Sequence, residues 1–198
     1  MDYKVLIRLV TENEAQAIKE KDADNVGSRG VATVCNTSSS YTKDENVAYC
    51  YSTVISANSL EEAKRMIEED PSLIVEDNEV SEGLSYMYRE KQKFNPDNYS
   101  LICIVLPEKE YDKWALMGSI EECEGFYENE YDEKMEISET VVTSEALCAM
   151  SNSSNSIEFY AEDLIKKGII QLDKNERSSE YDDDFYDDGS GYSDGSGR

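Results

Sequence analysis

The sequence predicts an α+β fold, with two tandem ferredoxin-like (βαββαβ) units, a helical connector between them and a disordered acidic C-terminal tail. Strand-like and helix-like segments follow one another in the order β-α-β-β-α-β twice along the 198 residues. The two passages align at an offset of 96 to 97 residues. From about Asn175 the composition changes to Ser, Asp, Gly and Tyr, which cannot bury a core.

The first unit is predicted over residues 1–76. Thr11 followed by Glu14 has the spacing of a capping box, in which each side chain bonds the other residue's backbone amide. Asn58 and Ser59 cap the second helix, and Pro71 ends it. In order, the predicted elements are strand Tyr3–Val10, a helix from Thr11 to Lys21, strands Gly30–Asn36 and Val47–Ser56, helix Leu60–Glu69 and strand Leu73–Val75.

The connector is predicted over residues 77–98 and the second unit over residues 99–173. Apolar residues recur at helical spacing in the connector, so we expect a helix there that packs across the junction. They are Val80, Leu84, Met87 and Tyr88. The elements predicted for the second unit are strand Tyr99–Leu106, helix Glu108–Leu116, strands Ser119–Tyr131 and Lys134–Ser144, helix Ile157–Lys167 and strand Ile169–Leu172.

The alignment of the two units favours an internal duplication. Residues 3–7 (YKVLI) lie over residues 99–103 (YSLIC), and the capping pair Asn58-Ser59 lies over Asn155-Ser156. Because identities are few, a chance similarity of common strand and cap patterns is the alternative.

Charge is the property in which this composition departs most from that of ordinary globular proteins. The chain has 44 acidic and 19 basic residues, a formal net charge of −25. Residues 1–95 have 18 acidic and 11 basic residues (net −7), residues 96–172 have 17 and 5 (−12), and residues 173–198 have 9 and 3 (−6). This excess serves solubility, or it attracts a basic partner surface. Direct binding to nucleic acid and to anionic membranes is disfavoured.

The absence of histidine restricts the possible chemistry. With 0 His in the chain, Ser-His and Cys-His nucleophile pairs and His-containing zinc sites are excluded. The five cysteines are widely spaced without a C-x-x-C pair, and no Gly-rich phosphate-binding loop follows a predicted strand. We therefore expect no catalytic residue, no cofactor and no metal site.

The targeting features indicate a soluble, cytoplasmic protein. The first residues, Met1 to Lys4, open into an apolar run without the basic region and cleavage site of a secretion signal. No stretch approaches 18 apolar residues. Scattered cysteines are typical of a reducing compartment.

The first candidate binding site is a predicted hairpin over Glu121–Glu139, which has nine carboxylates and one base, Lys134. Alternate carboxylates of a strand lie about 6.5–7 Å apart, close to the roughly 7 Å between successive phosphates of an extended backbone. A basic nucleic-acid-binding groove can accept such a row in place of phosphates; the alternative is an ordinary solvated face. The predicted contact residues are Glu121, Glu122, Glu124, Glu128, Glu130, Asp132, Glu133, Glu136, Phe126, Tyr127 and Tyr131.

The second candidate binding site is in the tail. Acidic residues around aromatic rings can dock in a basic groove, because charge steers the encounter and the ring anchors it. The alternative is a tail that only solubilises the protein. The predicted residues are Asp182, Asp183, Asp184, Phe185, Tyr186, Asp187 and Asp188.

The leading functional hypothesis is a non-catalytic binding protein. It would be an inhibitor from a phage or mobile element, working in the host cytoplasm, that occupies the basic nucleic-acid-binding surface of a partner protein. One alternative is a structural or assembly (virion-type) component that oligomerises through exposed sheet edges. The other is a carboxylate- or metal-dependent enzyme.

Overall fold

A computed structural model describes residues 1–29, 45–94, 96–128 and 134–172, apart from the side chains of residues 28, 29, 78, 124–128 and 134–138. The strands are β1 (Asp2–Thr11), β2 (Ser28–Arg29), β3 (Asn46–Ser56), β4 (Tyr99–Pro107), β5 (Ile120–Glu128), β6 (Lys134–Thr143) and β7 (Ser156–Tyr160). The helices are α1 (Glu12–Glu20), α2 (Leu60–Glu69), α3 (Asn78–Phe94), α4 (Glu108–Leu116), α5 (Ser144–Met150) and α6 (Ala161–Lys166). Short 3₁₀ turns cover Ala23–Asn25 and Pro71–Ile74.

Six of the strands form one antiparallel sheet in the order β5-β6-β3-β1-β4-β7, and the short β2 also pairs with β3. The central strands β1 and β4 pair with each other from Tyr3↔Pro107 to Thr11↔Tyr99. The mixed α+β class that the sequence predicts is thereby confirmed.

Helices cover both faces of this sheet. On one side, the α3 face, Val5, Ile7 and Leu9 of β1 pack with residues of α2, α3 and α6. On the other side, the α1 face, Leu6 and Val10 pack with residues of α1, α4 and α5. Because successive residues of a strand point to opposite faces, a strand buried on both faces must be apolar almost throughout. That is why β1 and β4 are the most continuously apolar segments of the chain.

The helix caps explain why local sequence gives the helix bounds so well. Ser59 Oγ accepts the Glu62 N–H at 3.1 Å, and Glu62 Oε2 accepts the Asn58 N–H at 2.7 Å. Such paired end-group bonds fix the start of a helix. The predicted helices over Leu60–Glu69 and Glu108–Leu116 are confirmed, and so is the connector helix, which is α3.

The capping box predicted at Thr11 is only half formed. Thr11 Oγ1 accepts the Glu14 N–H at 3.2 Å, as expected. The Glu14 carboxylate, however, accepts from Arg8 and from the Gly27 N–H instead of returning to Thr11. A buried guanidinium is a stronger partner for a carboxylate than a backbone amide is.

The structure does not confirm two tandem ferredoxin-like units, because strands from both predicted units share one sheet. Val47 of β3 pairs with Thr143 of β6 on one side, so Ser28 of β2 must lie on its other side, beyond the point where the β1–β3 pairing ends. In the ferredoxin-like order, β6 would pair with β4; here β3 and β1 lie between them. The fold is therefore a single six-stranded arrangement in which the hairpin β5–β6 extends the sheet from β3.

Two predicted closing strands are wrong. Leu73–Val75 lies in and just after a 3₁₀ turn, where Pro71 occupies the first turn and Asp70 Oδ1 accepts the Ser72 N–H at 3.1 Å. Ile169–Leu172 follows α6 without strand pairing. In both segments an isoleucine, Ile74 or Ile170, is buried from irregular backbone. An apolar run thus predicts burial more safely than it predicts a strand.

The helix predicted over Ile157–Lys167 is also wrong in its first part. Residues 156–160 form β7, in which Ile157 pairs with Cys103 of β4, and only Ala161–Lys166 is helical. Asn155 is not a helix cap, since its Nδ2 donates to Met150 O at 2.8 Å and closes the turn after α5. The seven-residue helix α5 escapes sequence reasoning because it is so short. The predicted strand Gly30–Asn36 lies outside the described residues.

Candidate functional site

The acidic hairpin occupies one end of the sheet, since β5 is the terminal strand in the strand order. Its nine residues pair with β6 without interruption from Ile120↔Val142 to Glu128↔Lys134. Four of the nine are glutamates and none is basic. The predicted hairpin therefore exists in the described residues on either side of its turn, and among the described strands β5 is the one at this edge of the sheet.

The turn that precedes β5 fixes where the strand begins. Gly118, at φ +77°, ends α4 with its N–H donating to Ala115 O at 3.0 Å. Ser119 O then accepts the Thr143 N–H at 3.0 Å and ties the turn to β6. This bond also sets the phase of the ladder. In antiparallel pairing every second residue bonds the neighbouring strand, so the backbone N–H and C=O groups of positions 120, 122, 124, 126 and 128 point away from β6.

Glu122 is partly held by its own protein. Its Oε1 accepts the Tyr111 O–H at 2.8 Å, and Lys4 Nζ lies 3.6 Å from the same oxygen. Lys4 Nζ also lies 5.1 Å from the centre of the Tyr111 ring. Burial and the Glu122 carboxylate raise the pKa of Tyr111 well above its usual range. The Glu122 side chain remains 61% exposed, so it retains a solvent-facing carboxylate at the start of the edge.

The other predicted hairpin residues divide into three groups. Glu121 is half-buried, on the opposite alternation from Glu122, and is engaged in a further interaction. Only the backbone is described for Glu124, Phe126, Tyr127, Glu128 and Glu136, which lie within β5 and β6. Outside the described residues lie Glu130, Tyr131, Asp132 and Glu133 of the turn, together with the tail residues Asp182, Asp183, Asp184, Phe185, Tyr186, Asp187 and Asp188.

Glu139 is a carboxylate that sequence reasoning left out of the site. It is only 9% exposed, lies across from Cys123 of β5, and within the described residues its Oε2 accepts no hydrogen bond. Burial raises the pKa of this carboxyl above its ordinary value. The sequence does contain a signal for this burial. Residues 135, 137, 139 and 141 of β6 alternate on one face, and Met, Ile and Val occupy the other three positions.

A second feature missed from sequence is an exposed apolar pair beside the start of β5. Leu116 and Met117 end α4 and are 88% and 72% exposed. Tyr111 is the residue of α4 that is buried. The glycine two residues after Leu116 is the signal that the helix ends there and that the pair lies on a turn.

Several basic residues, in contrast, are directed into the protein. Arg8 is buried and donates to Glu14 Oε1 from Nε at 2.8 Å and Nη2 at 2.5 Å, and to Tyr49 O from Nη1 at 2.8 Å. These contacts begin where the β1–β3 pairing ends, at Ile7↔Tyr51. The Arg8 guanidinium thus bonds a β3 carbonyl group at the point where β1 and β3 separate and no longer bond each other through their backbones.

Two lysines also donate to main-chain carbonyl groups. Lys91 Nζ donates to Leu9 O at 2.5 Å, and burial lowers the pKa of this amine to about 8. Lys21 Nζ donates to Cys148 O and Ser151 O at the end of α5. The carbonyl groups of the last helical turn carry partial negative charge, so a cation is stabilised there. Of these three cations, Arg8 is buried beside the Glu14 carboxylate, Lys91 is half-buried and Lys21 is exposed.

The described cysteines are buried free thiols: Cys50, Cys103, Cys123 and Cys148. Burial raises the pKa of Cys50 to about 12 and also raises that of Cys103. Since the thiolate is the reactive form, burial disfavours Cys50 and Cys103 as nucleophiles at neutral pH. Among the described residues, no group of three or more His, Cys, Asp or Glu side chains is arranged to hold a metal ion.

A polar groove of about 420 Å³ lies between α1 and the segment that follows it. Its carboxylates already accept hydrogen bonds from the protein. Glu20 accepts from Gln16 at 2.7 Å and Asp22 from Asn25 at 2.7 Å, while Glu14 accepts from Arg8 and Gly27. The groove adds to the negative surface, but its side chains hold one another in place rather than converging on a central point.

The comparisons with known proteins give no relative from which a function could be carried over. No protein-family model, no curated protein and no solved structure matches this chain. Within the described residues, no helix combines the length and the apolar composition needed to cross a lipid bilayer. What the fold and the candidate site define is an α+β protein with an acidic strand at one edge of its sheet.

Proposed function

We propose that this protein is a non-catalytic binding protein that occupies the basic, nucleic-acid-binding surface of a partner protein by presenting carboxylates in place of phosphates. A phage or mobile element would use such a protein as an inhibitor in the cytoplasm of its host. The observation that carries the proposal is the edge strand β5, with four glutamates and no base, in a chain of net charge −25.

The distribution of charge supports this proposal. Residues 96–172, which include β5 and β6, have 17 acidic and 5 basic residues. A field of one sign over a surface accelerates encounter with an oppositely charged partner and makes it sensitive to salt.

The spacing of the carboxylates supports the same proposal. Positions 122, 124 and 128 share one alternation of β5. Neighbouring positions of one alternation lie about 6.5–7 Å apart along a strand. The distance between positions 122 and 124 is therefore close to the roughly 7 Å between successive phosphates of an extended nucleic-acid backbone. A groove shaped for a nucleic-acid backbone therefore meets charges at the places where it already has cations.

Self-assembly through this edge is disfavoured. If the β5 strands of two copies paired, glutamates would lie across from glutamates, and like charges directly opposite one another destabilise a strand pair. Light scattering at physiological salt should accordingly report a monomer or dimer. A large closed assembly would favour the alternative of a structural component.

The proposal is tested with the protein as bait on a column, loaded at low salt with a lysate that contains nucleic-acid-binding proteins. Reversing Glu128, Glu130, Asp132 and Glu133 to Lys should lower the affinity for the retained protein by roughly 100-fold. The matched control reverses four exposed acids elsewhere, Glu68, Glu76, Glu79 and Glu82. Both variants change the net charge equally, so the control should still retain the protein.

Competition decides whether the carboxylates replace phosphates. A retained protein should be released by duplex DNA or by RNA, and the bait should in turn displace nucleic acid from it. If the hairpin variant retains the same proteins as the control, or if nucleic acid and bait bind the retained protein together, the proposal is wrong.

A further inference from the structure

We propose that the segment of the partner recognised by β5 is an extended, Lys- and Arg-rich stretch of chain, which adds to the sheet as a further strand. This inference rests on the proposed function, because it assumes a basic partner. It goes beyond that proposal by naming the form of the recognised segment and the backbone groups that bind it.

The first argument is the regularity of the edge. The register of β5 with β6 runs from Ile120↔Val142 to Glu128↔Lys134 with no inserted residue, and β5 contains no proline. Natural sheets usually protect such edges by shortening, bulging or kinking them. A straight nine-residue edge is a template to which an extended chain can add.

The second argument is the orientation of the backbone groups. The bond from the Thr143 N–H to Ser119 O sets the phase of the ladder, so positions 120, 122, 124, 126 and 128 direct their N–H and C=O groups away from β6. These five positions include three of the four glutamates of β5. A partner strand that forms hydrogen bonds with these five positions therefore lies beside a glutamate at three of them, 122, 124 and 128.

The third argument is selectivity by charge. In antiparallel pairing, a residue bonded to position 122 or 124 lies directly across from a glutamate, at a distance where opposite charges stabilise and like charges destabilise the pair. An acidic strand, including β5 of a second copy, is repelled. A strand with Lys or Arg at alternate positions is matched along most of the edge. The occupant that the edge selects is therefore basic and extended.

The test uses a nine-residue peptide in which lysine and threonine alternate, together with two N-methylated versions. One carries N-methyl groups on the lysine amides and the other on the threonine amides, so charge and side chains are unchanged. N-methylation removes the backbone donor of each modified residue. Affinity for the full-length protein is measured by fluorescence anisotropy at low salt.

Strand addition predicts that the unmodified peptide binds and that one methylated version, but not the other, loses affinity by roughly tenfold or more. Loss in the lysine-methylated peptide indicates antiparallel addition, in which lysines face the glutamates and bond position 122 or 124. Loss in the threonine-methylated peptide indicates parallel addition. Equal affinities for all three peptides, equal losses in the two methylated peptides, or no binding of the unmodified peptide overturn the inference.

The outcomes separate this inference from the proposed function. If all three peptides bind equally in a salt-sensitive manner, β5 attracts basic peptides by charge without forming backbone hydrogen bonds to them. The proposed function then stands. If peptides fail while a folded nucleic-acid-binding protein is retained by the bait, the proposed function again stands and only the extended occupant is excluded. The proposed function itself fails on the bait and competition experiment, whose result is independent of any peptide.

Discussion

The two edges of the sheet are built differently. The edge strand β5 has nine residues, four of them glutamates, whereas β7 has five residues and one glutamate, Glu158. Lys19 of α1 forms an ion pair with Glu158 at 2.6 Å, while Lys4 forms a longer one with Glu122 at 3.6 Å. The chain then leaves the sheet directly from β7 into α6, so no long edge is exposed there.

The contrast shows that an acidic residue can stand at either edge of the sheet while the two edges differ in length and in how their charges are paired. A short edge strand whose charge is paired offers another chain few free backbone hydrogen-bonding groups and little electrostatic attraction. Natural proteins use short edge strands to prevent unwanted pairing. A long, regular strand with four glutamates and no basic residue of its own offers both. Under the proposal, the charge of β5 decides which chains can pair with it, and its length decides how many hydrogen bonds they can form.

The largest expected effect concerns the interior that holds both edges in one structure. Replacing Arg8 by Met leaves the half-buried Glu14 carboxylate and Tyr49 O without their cation. Removing one member of a buried ion pair costs about 3–5 kcal/mol. Urea denaturation of Arg8→Met should show that loss in the free energy of unfolding.

The matched control is Arg65→Met, since Arg65 is 64% exposed and its two glutamate partners are 4.0 Å away. A surface pair of that kind contributes less than about 1 kcal/mol. Similar unfolding midpoints for the two variants would show that the interior charges do not hold the sheet together.

The next effect compares the edges directly. Reversing Glu124 and Glu128 of β5 to Lys should weaken binding of the unmodified lysine–threonine peptide by roughly 100-fold. Glu122 is left in place because Tyr111 holds it. Reversing Glu158 and Glu162, at the β7 end, changes the net charge equally and should alter the affinity by no more than about twofold. Equal losses in both variants would mean that net charge, and not the edge, controls binding.

A smaller effect concerns the buried carboxyl behind β5. Burial raises the pKa of Glu139 in the folded protein above the ordinary value of 4.5. At a pH between the ordinary and the raised pKa, the folded state therefore binds more protons than the unfolded state. Stability from this group is therefore lost as pH rises from about 4.5 through the raised pKa. Thermal unfolding of Glu139→Gln between pH 4 and pH 8 should give a flatter profile and a gain of roughly 1 kcal/mol at neutral pH.

Glu145→Gln is the control, because Glu145 is exposed on α5. Its unfolding profile should follow that of the unmodified protein. A Glu139→Gln profile as steep as that control would show that Glu139 is not the origin of the pH dependence.

The smallest expected effect comes from removing the ion pair at the β7 edge, which leaves Glu158 without its lysine. Lys19→Gln removes the partner of Glu158. The pair is largely exposed, so the free energy of unfolding should change by less than about 1 kcal/mol. Peptide affinity, measured as before, should rise by no more than about twofold, because β7 remains too short to accept a strand. A tenfold rise would show that charge alone distinguishes the two edges.

Local structure could be predicted where neighbouring residues determine it. The bounds of α2 follow from the Asn58-Ser59 cap and Pro71, and β1 follows from its apolar run. The pairing of β3 with β6 joins residues almost 100 positions apart, such as Val47 and Thr143. Local patterns carry no information on which of several compatible strands will meet, so the tandem arrangement could not be tested from sequence.

The candidate site shows the same division. Composition identified the acidic hairpin, but only the strand order shows that β5, rather than β6, is the terminal strand. The engagement of Glu122 by Tyr111 depends on how α4 crosses the sheet, which no spacing rule gives. Glu139 could have been found, because it shares one alternation with Met135, Ile137 and Val141.

Residue-resolved amide exchange with the unmodified lysine–threonine peptide tests the location of binding most directly. At saturating peptide and low salt, the amides of positions 120, 122, 124, 126 and 128 should exchange more slowly, and those of β7 should not change. Higher salt should abolish this protection. Protection at β7, protection spread evenly over the acidic helices, or none at all would contradict the account of β5 as the acidic binding edge.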